Sequence, residues 1–412
     1  MAIKKKKTVL MIMADALRHD YVNESDAPFL HHLANTGTTG SLIPSFGFEP
    51  DGAYLAGLDP EECDGGAQFW RKPDSQLFRF ITFFNLMYAL PNNGWRRLVR
   101  KAIRFSAQAM SSDSLTRRMA SSMEIPVNML GQFSTPMKKL ACDPDFIEQP
   151  TVFDVARSNG KTIYFHGFPM YKVRTDKVLE RYLEEEHGGN DLAFLFFGDL
   201  DGIGHKYGPS SNERCATLKK LDDAIQCIHV HACKHYDQVD ILIFGDHGMA
   251  DIKETIDLQG AISNAALNLE EDSYFLDSTF ARFWVKDSVR RSRLERMLSE
   301  QPGGHILSEK EKEVYRIRYP HNYFGDVIFV VDDGMLIHPS FYCIDSNPPK
   351  GMHGYLPGCR DNESAFIIHS ELTNDMGELG RVDMRRIFPT VLDMLGLNDT
   401  VPIPHNLKSL LS

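Results

Sequence analysis

Little in this 412-residue chain suits a disulfide scaffold, a membrane span or a nucleic-acid surface. Cysteine is scarce. The seven residues are odd in number and lack paired spacing, which argues against a disulfide framework. Reduced thiols and a cytoplasmic location are the expectation. No run approaches the roughly 18 apolar residues of a spanning helix. Lys4 to Lys7 followed by Thr8–Ala14 imitates a secretory leader, but the apolar part is short, has no small-residue cleavage site and runs into Asp15. Positive charge is also lacking. The net charge of −11 removes any global case for nucleic-acid binding. Neither an internal repeat nor a low-complexity tract is present.

What remains is ordinary globular composition, 42% hydrophobic and 25% charged, with length for one large domain carrying an insertion. Three apolar runs end in acidic residues. Thr8–Ala14 stops at Asp15. Leu192–Phe197 opens onto Gly198-Asp-Leu-Asp201, with His205 four residues on. Val239–Phe244 opens onto Gly245-Asp246-His247-Gly248-Met249. This is how buried strands read when they hand their carboxyl ends to a site. Carboxylate and imidazole are both good ligands for a borderline metal such as zinc.

The rest reads as alternating elements. Ala27–Asn35 is an amphipathic helix, with His31 and His32 as surface or packing residues. Thr151–Ser158, Lys177–Glu186 and Ser211–His235 are helices, and Met384–Leu395 is a closing one. Lys161–His166, Ala281–Val285, Asp326–Val331 and Ala365–His369 are strands. The helix ending at His235 carries Cys227, His229, His231, Cys233 and His235. Pairs four apart suit a metal, but the alternating spacing spreads the set round the helix.

Residues 66–145 differ from the rest. Between 71 and 140 there are twelve Lys/Arg against three Asp/Glu. Trp95–Phe105 places Trp95, Leu98, Val99, Ala102 and Ile103 on one stripe with Arg opposite. The expectation is a helical basic insertion or cap beside the site. Two uses compete for it: simple packing, and recognition of an anionic substrate or a membrane surface.

The motifs resemble those of the type I phosphodiesterase/nucleotide pyrophosphatase branch of the alkaline phosphatase superfamily. Leu200–Pro209, L-D-G-I-G-H-K-Y-G-P, is similar to the branch's P-D-x-x-G-H-x-Y-G-P. Gly245–Met249 is similar to S-D-H-G-M, and His353-Gly354-Tyr355 to a late H-G-Y. Leu42–Pro60 looks like the nucleophile segment, P-x-x-T-x-P-N followed by T-G-L-x-P. Aligning Ala56-Gly57-Leu58 and Pro60 puts Gly47 in the Thr/Ser nucleophile slot. Glycine cannot attack phosphorus. Ser45 is the nearest hydroxyl, Glu49 and Asp51 are nearby carboxylates, and hydroxide held by a metal is a further choice. Pro50 is placed to open a helix whose free N–H groups would favour a phosphate oxygen.

The resemblance implies one alkaline-phosphatase-like α/β domain over 1–412, with a central, mostly parallel sheet flanked by helices. It implies a two-metal hydrolase of phosphodiester or nucleotide-pyrophosphate bonds. Asp201, His205 and His353 would hold one divalent cation, and Asp15, Asp246 and His247 the other. Zinc suits the imidazoles; manganese or iron is the alternative. The substrate would be a nucleotide, a sugar-nucleotide or a lipid-linked phosphate. A phosphomonoesterase or phosphotransferase, and a catalytically weakened phospho-ligand-binding protein, are the competing readings.

Overall fold

The computed structural model describes residues 6–71, 129, 132–134, 139–166, 173–269, 271–343, 347–372, 377–403 and 407–411. Most of the 66–145 insertion, including Leu77–Leu90 and Trp95–Phe105, lies outside the described residues.

Two sheets organise the described chain. The first collects β1 (Lys7–Ala14), β2 (Thr38–Ile43), β3 (Ile163–His166), β4 (Leu192–Phe197) and β5 (Gln238–Phe244). Next come β6 (Ser273–Leu276), β7 (Phe280–Trp284), β8 (Gly304–Ile306) and β9 (Val327–Val331), which form a separate four-stranded antiparallel sheet in the order β6-β7-β9-β8. The chain then returns to the first sheet with β10 (Ser364–His369) and β11 (Gly377–Asp383). The first sheet has seven strands, ordered β11-β2-β10-β5-β1-β4-β3. β3, β4, β1 and β5 run parallel. β10 is antiparallel to both of its neighbours, and β11 is parallel to β2.

β1 is central because it is apolar on both faces, as parallel strands between helix layers are. Val9, Met11 and Met13 enter one core; Leu10, Ile12 and Ala14 enter the core on the opposite face. The helices around this first sheet are α1 (Pro28–Thr36), α2 (Asp51–Ala56), α3 (Val152–Ser158), α4 (Thr175–Glu185), α5 (Asp199–Tyr207), α6 (Asn212–His235) and α7 (Ile387–Leu395). Their starts follow local chemistry. Thr151 and Asp154 exchange hydrogen bonds as a capping box on α3, and the Ser211 hydroxyl caps α6. α1, α4 and α6 pack on one side of the sheet, α2, α3 and α7 on the other.

Two local readings differ from the expectation. The segment after β4, read as a glycine-containing stretch, is helix α5. Pro50 is the residue before α2, not its first turn. The strands expected at Ala281–Val285 and Asp326–Val331 are present as β7 and β9 of the second sheet. The insertion leaves and re-enters beside that second sheet: Trp70–Arg71 pairs antiparallel with Phe133–Ser134, and Phe69, Met129 and Phe133 are buried in its core.

The second sheet is built round a charge. Arg282 and Asp277 are both fully buried, with Nε to Oδ2 at 2.8 Å. The guanidinium also donates to the Phe69 carbonyl at 2.7 Å and lies 4.9 Å from the Phe275 and Phe324 ring centroids. Burial outweighs Arg282 and pushes the Asp277 carboxyl up to about 6. Removing one partner of such a pair leaves an uncompensated charge. Arg282→Met is therefore expected to lower stability by about 3–5 kcal/mol in urea denaturation, with most of the loss recovered in Arg282→Met/Asp277→Leu. A single-variant loss below about 1 kcal/mol, the level of an exposed pair, would contradict this.

Candidate metal centre

Parallel pairing brings the acidic residues together. Ala14 lies opposite Phe197 and Met13 opposite Phe244, so Asp15, the start of α5 and Asp246 leave neighbouring strands at one edge. The Asp15 amide still bonds the Phe197 carbonyl at 2.9 Å, which holds its side chain at the sheet end. In α5, Asp201 and His205 are four residues apart and so share one helix face. Past β5 the Gly245 amide bonds Ala365 at 3.0 Å, and the chain then turns out of the sheet. At Gly248 a side chain would meet the Asp361 and Glu363 carbonyls at 2.3 and 2.5 Å, so only glycine lets this turn pass. His353 follows the strand pair Gly351–Met352 with Ala250–Asp251.

All six predicted ligands converge. His205 Nε2 is 3.0 Å from Asp201 Oδ1, and His353 Nε2 is 3.7 Å from the same oxygen. His247 Nε2 is 3.3 Å from Asp15 Oδ1 and 3.5 Å from Asp246 Oδ2. The His247 and His353 rings stack at 3.6 Å with 6° between their planes. Ligand atoms of Asp201, His205 and His353 lie within 4.8 Å of one another, as do those of Asp15, Asp201 and His247. Asp201 thus belongs to both groups, whereas the motif assignment gave it to one.

Backbone carbonyls set two tautomers. His205 Nδ1 donates to Gly351 O at 2.9 Å, and His247 Nδ1 to Gly248 O at 2.8 Å. Each ring is left with Nε2 toward the carboxylates, and a carbonyl on the other nitrogen is the usual support of a metal-binding histidine. The Gly351 and Gly248 carbonyls were not foreseen, because no side-chain pattern marks a carbonyl acceptor.

The electrostatics are strained without a cation. Burial, then the Asp246 and Asp201 charges, push the Asp15 carboxyl well above the usual range. Burial also raises Asp246, against the pull of His247. For Asp201, burial is outweighed by His205, His353 and His247, which hold it well below the usual range. Burial lowers His247, but Asp246, Asp15 and Asp201 overcome it and carry the imidazole to about 10. Burial and the neighbouring His247 charge drive His353 well down. Asp15 Oδ1 and Asp201 Oδ1 are buried with only the facing His247 and His205 Nε2 atoms beside them, and His353 Nδ1 is buried with no hydrogen-bond partner. Buried carboxylate oxygens gathered against imidazole nitrogens suit divalent cations. The donor set of three carboxylates and three imidazoles fits a borderline metal.

The segment after β2 reaches the same edge, since β2 runs in the direction of β5. Ser45 is half-buried two residues beyond β2. Gly47 has φ +96°, and a side chain there would meet the Gly66 carbonyl oxygen at 1.9 Å. Phe48 packs edge-on against His353, with ring centroids 5.3 Å apart, and stacks on Phe280 of β7 at 5.4 Å. The second sheet therefore braces a metal-ligand candidate, a contact that sequence spacing did not reveal. Asp51 is buried and accepts the Tyr54 hydroxyl. Burial first, then Asp51, Asp246 and Glu49, raise the Tyr54 phenol well above its usual value, so these carboxylates share one electrostatic neighbourhood.

Gly47→Thr, which restores the hydroxyl of the family's nucleophile slot, is expected to lose stability and gain no turnover. The backbone there is left-handed, and the Gly66 carbonyl occupies the side-chain position. Thermal unfolding together with a phosphodiesterase assay checks it. A stable, more active variant would contradict the placement.

The sequence matches the family model for type I phosphodiesterase / nucleotide pyrophosphatase over residues 83–356. That range contains Asp201, His205, Asp246, His247 and His353, but neither Asp15 nor Ser45. Ectonucleotide pyrophosphatase/phosphodiesterase family member 7 of Mus musculus is 31% identical over 102 residues, 24% of this chain and 23% of that protein. Bis(5'-adenosyl)-triphosphatase ENPP4 of Pongo abelii is 24% identical over 220 residues, 52% of this chain and 46% of that protein. The chain thus spans between a quarter and a half of the length of these curated relatives. Human ectonucleotide pyrophosphatase/phosphodiesterase 5 superposes with a TM-score of 0.67 at 16% identity, covering 97% of this chain and 96% of its own. An inactive variant of the murine protein in complex with AMP also gives 0.67 at 16% identity, covering 98% of each chain. The fold is that of these enzymes, and the chain belongs to the type I phosphodiesterase/nucleotide pyrophosphatase family.

Proposed function

We propose that this chain hydrolyses phosphodiester or nucleotide-pyrophosphate bonds with two divalent cations. The observation that carries the reading is the convergence of three buried or half-buried carboxylates and three imidazoles at the carboxyl edge of a parallel sheet. Asp201, His205 and His353 would hold one cation. Asp15, Asp246 and His247 would hold the other, with the second Asp201 contact between them. Two such cations supply charge neutralisation of the phosphate and polarisation of the attacking and leaving oxygens. Zinc is the proposed metal because half of the ligands are imidazoles, with manganese or iron as substitutes.

The chain's own residues do the positioning. The Gly351 and Gly248 carbonyls hold His205 and His247 in one tautomer, and Phe48 fixes the His353 ring. Ser45 is proposed as the nucleophile, since the Gly47 backbone leaves no room for a side chain. A nucleotide-type substrate is supported by the AMP complex of the murine structural neighbour. The basic insertion is proposed to meet the anionic or lipid-linked part of the substrate. Among the described residues no helix is long and apolar enough to cross a membrane. The seven free thiols support a cytoplasmic location. Gly47 also favours a second reading, a protein that binds a phosphorylated ligand without turnover. Hydrolysis of bis-p-nitrophenyl phosphate by the zinc- or manganese-loaded protein, faster than that of p-nitrophenyl phosphate, supports the diesterase. Metal bound with neither ester cleaved would establish the binding reading.

His205→Ala and Asp246→Ala are each expected to weaken metal binding by at least 10–100-fold and to abolish turnover, as for loss of a ligand or its support. Elemental analysis after zinc loading reads this out, and a wild type holding less than one metal per chain would count against the centre. Ser45→Ala separates two routes. If the Ser45 hydroxyl attacks, a chiral phosphorothioate diester is cleaved with net retention and Ser45→Ala is inactive. Inversion by the wild type, with an active Ser45→Ala, would mean that water attacks directly.

A further inference from the structure

A second group of imidazoles gathers far from the metal centre. His231 and His235 stand four residues apart on the last turns of α6, with ring centroids 4.6 Å apart. His187, in the loop between α4 and β4, brings its ring to 5.8 Å from His231 and 5.4 Å from His235. One nitrogen from each lies within 4.8 Å of the other two. We propose that His187, His231 and His235 form a separate site for a borderline divalent cation such as Zn2+, tying the end of α6 to the loop that leads into β4.

The site lies at the opposite edge of the sheet from Asp15. His187 precedes β4 and His235 precedes β5, whereas Asp201 and Asp246 follow those strands. Six or seven strand residues separate the two ends. At about 3.3 Å per residue that is roughly 20 Å, too far for a shared ion.

Three observations make this a built site. First, the His231 Nε2–H donates to the Glu186 carbonyl at 2.6 Å, which leaves Nδ1 as the free lone pair. A carbonyl partner of this kind is what orients metal-binding histidines. Second, the loop carrying His187 is pinned. The buried Glu186 carboxylate accepts from the Tyr236 hydroxyl at 2.7 Å, from the Gly188 amide at 2.8 Å and from the Asn190 side chain. The Tyr236 oxygen in turn accepts the Gly189 and Asn190 amides at 2.9 and 2.8 Å. Third, tetrahedral zinc with N ligands at 2.0–2.1 Å needs nitrogens about 3.4 Å apart. The three nitrogens, within 4.8 Å of one another, would have to draw together by about 1 Å round the ion. His187 is exposed, so an ion can enter and keep water in the fourth position. Lys6, bonded to the Gly188 carbonyl at 3.1 Å, and Lys234 oppose the cation, and the Glu186 carboxylate offsets them.

The set escapes sequence inspection because its third member comes from another element. Of the five candidates on the helix, only His231 and His235 take part. Cys233 instead faces His229, with Sγ to Nε2 at 3.8 Å.

Equilibrium dialysis of the chelator-stripped full chain against Zn2+, with metal counted per chain, tests this. His231→Ala/His235→Ala is expected to bind one equivalent fewer than wild type, with phosphodiester turnover unchanged. His187→Ala/His235→Ala keeps the Glu186 hydrogen bond, and it decides the matter if the first variant fails to fold. Stoichiometry equal to wild type in a folded variant would overturn the proposal, however many ions the catalytic edge holds. Loss of turnover alongside a full metal count would overturn it as well.

Discussion

The parallel register of β1 between β4 and β5 is the constraint on which the site depends. Neighbouring strands lie about 4.8 Å apart. Residues that leave adjacent carboxyl ends therefore start at close to the spacing of two metals that share a phosphate, about 4 Å. Asp15 leaves β1, Asp201 follows β4 on the first turns of α5, and Asp246 leaves β5. Each strand is apolar on both faces, so the core that fixes the register also fixes the carboxylates. A slip in pairing would move buried side chains and ligands together.

That placement carries an electrostatic cost. Three carboxylates enclosed together repel, and burial penalises each charge. The imidazoles relieve part of this: His247 bridges Asp15 and Asp246, and His205 faces Asp201. The relief is incomplete, because burial and the Asp246 and Asp201 charges still drive Asp15 toward its neutral form. Divalent cations resolve the frustration directly. The second sheet contributes from outside through the Phe280–Phe48–His353 contact, so its buried Arg282–Asp277 pair supports the site at one remove.

Much of this was legible in the chain. Apolar runs ending in acids marked the strands and the catalytic edge, because buried parallel strands are uniformly apolar and polarity resumes where they end. His353 was legible only through its motif, since nothing local distinguishes a late histidine in a proline-flanked loop. α5 was missed as a helix because Gly202 and Gly204 read as turn residues, while its context comes from packing. Nothing local assigned the strands between 273 and 331 to a sheet of their own, because they are short and lie between helices, as strands of a single sheet also do. Gly47 stood out as an absence, but its reason, the Gly66 carbonyl in the side-chain position, lies in a residue nineteen positions away. The basic character of the insertion was plain, and its structure lies outside the described residues.

Anomalous diffraction from zinc-loaded crystals grown with phosphate tests the central claim most directly. The account predicts two peaks about 4 Å apart. One would lie among Asp201, His205 and His353, the other among Asp15, Asp246 and His247, with phosphate oxygen reaching both. A single peak, or zinc bound elsewhere while these six side chains keep their mutual hydrogen bonds, would contradict it.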